Sequence, residues 1–332
     1  MSTINVDIVA PQSGTSVTVS GVEIDAPVST NIGIGTTALN SLTSGSNNIA
    51  IGENALTTTI STNRAVAIGG GALENSTGSF NSVAIGYRAM RSAGGNTNIA
   101  IGYQSLFNST GSNNIAIGKD ALVASTTAIS NTSVGVEAGK SVTTGSANVL
   151  LGSYSGSALT TGGSNVFIGN FAASFNAGDV FTGSNNIAIG NLSDPSSLTV
   201  DNEITLGNSS NNVLRCAVTS ITSLSDARDK KEIETLPVGL EFIEKLKPVK
   251  FVWNDREDEN KRDIVDFGFI AQDLKATQEE ENASFLNLVY ESNPEKLEAS
   301  YGKLLPILVK AIQEMNTEIK SLKEEILTLK IK

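Results

Sequence analysis

The sequence predicts a mainly β protein: a β-solenoid-like repeat shaft, then an α+β domain that ends in a parallel coiled coil. Three observations predict it. A short apolar stretch closed by glycine recurs about every 17 residues through the first two thirds of the 332-residue chain. Composition then changes abruptly. The first 224 residues hold 28 of the 31 glycines and only 17 charged side chains, whereas the last 108 hold 3 glycines and 40 charged side chains, a domain boundary by composition alone. Finally, aliphatic residues step by 3 and 4 without a break through the C-terminal segment.

The repeats come first. The glycines that close the apolar stretches are Gly35, Gly52, Gly69, Gly86, Gly102, Gly118, Gly135, Gly152, Gly169, Gly190 and Gly207, at intervals of 17, 17, 17, 16, 16, 17, 17, 17, 21 and 17. The best copies read NNIAIGENAL, NSVAIGYRAM, NNIAIGKDAL and NNIAIGNLS, each followed by a Ser/Thr/Gly/Asn stretch. A fixed period of this length marks a stack of coils over residues 31–214. Within N-I-A-I-G the alternation suits a short strand, with Ile49 and Ile51 expected to face a core. One coil cannot bury its few aliphatic side chains alone, so stability must come from neighbouring coils and from other chains. A disordered Ser/Thr/Asn/Gly tract is the competing reading of the composition, but it leaves the phased isoleucines unexplained. The aromatics Tyr87, Tyr103, Phe107, Tyr154, Phe167, Phe171, Phe175 and Phe181 cluster in the middle and late copies. Packing in the repeat core is their expected use, and a surface for glycan or a receptor the alternative. The 21-residue interval, with NAGDVFTG, is expected to loop out from one face.

Several function classes are excluded or weakened by composition. With no histidine and one cysteine, Cys216, there is no internal disulfide, no zinc site of ordinary spacing and no histidine catalysis. No metal or cofactor is expected. A net charge of −11 without a basic stripe argues against nucleic acid. No apolar run approaches bilayer length, and MSTINVDIVAPQSG has neither a basic n-region nor an apolar h-region, so synthesis in the cytoplasm without membrane insertion is expected. A glycosidase needs two carboxylates at one cleft. The acidic residues of the shaft, Glu53, Glu74, Asp120, Glu137, Asp179, Asp194, Asp201 and Glu203, fall mostly one per repeat at unrelated phases.

The C-terminal part reads SDARDKKEIETLPVGLEFIEKLKPVKFVWND, then DFGFIAQDL, LNLVY and LEASYGKLLPILVKAIQEM. This ordered set, with its S-D-x-R-x-K start, P-V-x-F-x-W, G-F-I-A-Q and a terminal Y-x-x-L-x-P-x-L-x-x-A-I helix, resembles the intramolecular chaperone domain of phage tail fibres and tailspikes, the peptidase S74 type. The resemblance spans about residues 222–320. It implies a trimeric β-solenoid-like shaft assembled by its chaperone domain, which many members release by self-cleavage at the serine of the SD motif. The serine and lysine dyad proposed for that family falls here on Ser225 and Lys230. The repeats also look like those of trimeric fibres and adhesin heads. Together they imply a virion fibre, tied by residues 1–30 to a baseplate, tail or other capsid protein and meeting a host receptor or glycan. A cellular trimeric adhesin and a polysaccharide-degrading tailspike are the alternatives. The divisions expected are 1–30, 31–214, 215–302 for the chaperone core and 303–332 for the terminal helix.

Two parts of this reading stand on residues alone. Leu305, Leu308, Ile312, Met315, Ile319, Leu322, Ile326 and Leu329 occupy every a and d position, with Glu318 and Glu325 at g and Lys323 and Lys330 at the following e, a parallel seam. Isoleucine at a with leucine at d favours two strands, so three rest on the resemblance. At the seam between the domains, Ser225 needs a base to take its proton, and Lys230 can serve only if burial or nearby positive charge lowers its pKa. Arg228 and Lys231 push that way, and Asp226 and Asp229 oppose. The alternative is that Ser225 caps a helix starting at Asp226.

Overall fold

The computed structural model describes residues 30–58, 61–176, 178–211, 213–215, 217, 222–254 and 264–331. The anticipated attachment strands in residues 1–29, and Cys216, lie outside these. Eleven three-residue strands form the shaft, from β1 (Ile32–Ile34) and β2 (Ile49–Ile51) through β6 (Ile115–Ile117) to β10 (Ile187–Ile189) and β11 (Ile204–Leu206). They make one parallel sheet in strict sequence order. Register is maintained throughout: Ile32 pairs with Ile49, Ile49 with Val66, Ile99 with Ile115 and Ile187 with Ile204. Each coil thus adds one strand, and ten steps of about 4.8 Å give a shaft roughly 50 Å long.

The inward face differs from expectation. Ala50, Ala67, Ala84, Ala100 and Ala116, the middle residues of their strands, are fully buried, whereas Ile49 and Ile51 lie half-exposed on the outer face. In these strands alanine fills the inward position and the remaining volume is filled by Leu56, Leu73, Met90, Leu106 and Leu122; further along, Leu150 and Phe167 take the same inward position. Two columns therefore run down the outside of the sheet, Ile32 to Ile204 and Ile34 to Leu206, in which every residue but Thr132 is Ile, Val or Leu.

Glycine ends each strand for a reason the backbone makes plain. Gly102 has φ +137°, and a Cβ there would lie 2.4 Å from the Gly118 carbonyl oxygen of the next coil, so no other residue permits that approach. A second device is a buried column of asparagines. The side-chain oxygen of Asn114 accepts from Asn131 N at 3.0 Å, that of Asn131 from Asn148 N at 2.9 Å, and that of Asn148 from Asn165 N at 2.9 Å. Each amide nitrogen donates to a loop carbonyl, as Asn131 Nδ2 does to Gly145 O at 2.9 Å. The column satisfies polar groups that the loops bring into the coil interior.

The aromatics divide. Phe167 and Phe181 are buried edge to face with centroids 5.7 Å apart, and Phe175 packs against the same core. Tyr87 and Tyr103 stack on one another in the open, at 5.6 Å. The longer interval does not simply loop out: Phe181 turns back into the core, donating its N–H to Ala158 O and accepting from Thr160 N, both at 2.9 Å.

Beyond the shaft, a small α/β unit holds α1 (Leu240–Lys245), an antiparallel pair β12 (Val249–Val252) and β13 (Val265–Gly268), α2 (Ala271–Glu280), a second antiparallel pair β14 (Val289–Tyr290) and β15 (Glu298–Ala299), and α3 (Leu304–Ile331). Its core is Phe242, Ala283, Leu288, Leu304 and Ile307. Glu314 of α3 accepts from Leu240 N at 2.7 Å and so caps α1, which lacks a side-chain cap of its own. The first turns of α3 dock through Leu304, Ile307 and Ala311, while Leu305, Leu308, Ile312, Met315, Ile319, Leu322, Ile326 and Leu329 remain exposed.

Candidate functional site

The seam carries the candidate site. Residues 222–230 are exposed, with Leu224 98% accessible. A single 3-10 turn, Ala227–Asp229, follows. Its cap is Asp226, whose carboxylate accepts from Arg228 N at 2.9 Å, so Ser225 is not the capping residue and the turn is not the α-helix considered from sequence. Freed from capping, the Ser225 hydroxyl faces the side chain that the turn returns to it. Lys230, extended just after the turn, places Nζ 2.5 Å from Ser225 Oγ and 3.4 Å from Ser225 O.

The two residues singled out from sequence therefore touch, across a turn only four residues long. Their surroundings differ from what activation requires. Lys230 is exposed to solvent. Arg228 is committed to Asp226 at 2.6 Å. That guanidinium holds the Asp226 carboxyl below its ordinary range, and the carboxylate raises Arg228 in return. The positive charge expected to act on Lys230 is thus offset by its own partner. Geometry for proton transfer is present in one chain, and desolvation is not.

What the sequence did not reveal lies at the other end of the linker. Two rows of residues from the final coil and the second domain meet there: Glu203 accepts from Tyr290 Oη at 2.9 Å, and the Ser196 and Ser292 hydroxyls are hydrogen-bonded. Only the phase of Glu203, at the position held by asparagine in NNIAIG, carried a signal.

Residues 225–282 match the family model described as Peptidase_S74, chaperone of endosialidase. No curated protein and no solved structure matches the chain. The match begins at Ser225 and covers the dyad, α1, both strands of the first pair and α2. The chain thus joins an S74 chaperone domain to a β-solenoid shaft.

Proposed function

We propose that the protein is a homotrimeric virion fibre, a tail fibre or receptor-binding fibre, whose S74 domain aligns three chains and then separates from the shaft by cleavage at Ser225. The observation that carries this reading is the outer face of the sheet. Two aliphatic columns run for eleven strands without a covering layer among the described residues, an apolar strip much longer than single-chain proteins leave in water. Three shafts meeting along these columns would bury it. The same demand appears in α3, where all eight a and d side chains are exposed, a seam that needs partner helices.

Near-identical coils can pair out of register by a whole repeat at small cost, because aliphatic meets aliphatic again. A domain that associates first sets the ends level and raises the effective concentration of the shafts. Cleavage then removes it. In the proposed step Lys230 Nζ, as the free amine, takes the Ser225 hydroxyl proton. Oγ attacks the Leu224 carbonyl carbon, the Leu224–Ser225 C–N bond breaks, and the proton passes to the leaving Ser225 nitrogen. Water hydrolyses the resulting ester, giving a Leu224 carboxylate and restoring the hydroxyl. Packing of a neighbouring chain over the exposed turn would supply the desolvation that one chain lacks.

Attachment to the particle through residues 1–30, and recognition of a host receptor or glycan by the shaft, belong to the same proposal. Seven of the eight shaft carboxylates, all but Glu53, already hold a cation or a hydrogen-bond donor, which supports a fibre over a polysaccharide-degrading spike. Sedimentation and intact mass test the reading together. The full chain is expected as a trimer whose mass falls at the Leu224–Ser225 bond in wild type and not in Ser225→Ala. A well-folded monomer in dilute buffer would overturn it. Residues 1–214 expressed alone are expected to assemble poorly, and efficient formation of protease-resistant trimers from them would show the S74 domain to be dispensable.

A further inference from the structure

We propose that the last coil of the shaft is the docking surface for the S74 domain's own β14–β15 hairpin, which grips the Glu203 carboxylate in the place where another coil would stack. The asparagine column shows what that place is. In the five coils from Asn98 to Asn165 the side-chain oxygen at this position accepts from the backbone N–H of the coil that follows. Glu203 N donates to Asn186 Oδ1 at 2.9 Å, so Glu203 is the final rung. Among the described residues no coil follows it, and the residue is a carboxylate where the preceding coils hold an amide.

A carboxylate is acceptor-only and can take four donors, and here it takes four. Oε1 accepts from Ser196 N at 2.8 Å and Thr205 Oγ1 at 2.9 Å. Oε2 accepts from Ser196 Oγ at 2.5 Å and Tyr290 Oη at 2.9 Å. With its proton given to Glu203, Ser196 Oγ accepts in turn from Ser292 Oγ at 2.5 Å. Three of the four donors belong to the coil itself, and the fourth, with the Ser292 contact, belongs to the hairpin. The hairpin register is fixed behind them, since Val289 pairs with Ala299 and Tyr290 with Glu298, and Ser300 N holds Leu288 O at 2.8 Å.

The arrangement makes docking conditional. Glu203 points at Tyr290 only when Ser196 and Thr205, nine residues apart in the chain, have been brought together by winding the last coil. An unwound end offers a solvated carboxylate and no platform. The contact therefore ties the chaperone to a completed shaft terminus, and it holds through space after the linker is cut. This goes beyond the fibre reading and does not depend on how many chains associate.

Hydrogen exchange of the full chain, read by mass spectrometry in a Ser225→Ala background so that both parts remain joined, tests it. Tyr290→Phe removes one hydroxyl from a partly exposed ring and leaves the shaft sequence untouched. A hydrogen bond to a charged group contributes about 1.5 kcal/mol, so amides of residues 196–206 are expected to exchange about tenfold faster, with the coils from Ile49 to Leu151 unchanged. Ser292→Ala is expected to act in the same direction and less. Unchanged exchange at residues 196–206 in Tyr290→Phe overturns the proposal, as does acceleration spread evenly along the shaft. Sedimentation of the same samples reports association separately, so failure of the trimer and failure of the docking are distinct results.

Discussion

Ser133 occupies the inward position that alanine holds in most strands, and its buried hydroxyl has no hydrogen-bond partner among the described residues. An unpaired buried hydroxyl is costly, and Ala116 shows that a methyl group suits the adjacent rung. Ser133→Ala is expected to raise stability by about 1 kcal/mol in denaturant unfolding. Two carboxylates give pH dependences of opposite sign. Burial lifts the Glu298 carboxyl above its ordinary range, the nearby Glu203 charge adds to this, and Lys296 opposes it. A carboxyl raised in the folded state binds protons more tightly there than in the unfolded chain. The hairpin should therefore gain stability as pH falls through that raised value and lose it as pH rises. Glu314 is shifted downward, chiefly by accepting from Leu240 N and then by Lys310. Its contribution is present above the ordinary carboxylate range and disappears as pH falls through the depressed value. Titrating wild type beside Glu314→Gln by near-ultraviolet circular dichroism checks this: the variant should lack the acid-side loosening of α1 against α3.

At the scale of elements, what the sequence disclosed and what it concealed have separate physical causes. The strand at every Gly-closed repeat was legible because a 17-residue period survives any detail of side-chain packing. Which face of Ile-Ala-Ile pointed inward was not, because alternation marks two faces without saying which is enclosed, and only the wound coil shows Ala50 inside and Ile51 outside. The pairing of Ser225 with Lys230 came from the resemblance carried by the S-D-x-R-x-K start, and the two side chains are in contact, whereas the cap at Asp226 depended on which of two adjacent side chains reached Arg228 N. The asparagine column lay in plain view in NNIAIG, but its role needs the stacked neighbour that supplies the N–H. Asn131→Ala would strand Asn148 N and Gly145 O inside the coil. With about 1–3 kcal/mol for each orphaned group, a loss of about 3 kcal/mol is expected, seen as local exchange at residues 131–148 before global unfolding.

For the whole molecule, the exposed columns and the exposed seam of α3 make separable demands. Ile101→Lys, at the centre of the outer face, places a charge where another shaft is proposed to lie. Chains should still associate through the S74 domain, yet the shaft is expected to become protease-sensitive and part after cleavage. Leu322→Asp, in the middle of α3, should instead delay association itself, visible in sedimentation as slower appearance of the proposed trimer. Equal effects from both would mean that shaft and helix do not act in sequence.

The asparagine column also has a direction. Each side-chain oxygen reaches toward the C-terminal end and meets an N–H there, like ratchet teeth cut all one way. A coil arriving on the N-terminal side brings an acceptor to a donor already in place, while the last coil bears a carboxylate, Glu203, in the same place. Duplicating an interior 17-residue unit would therefore lengthen the rod by one strand spacing and leave its closing rung unaltered, so reach can vary by gene duplication without rebuilding the domain proposed to assemble it.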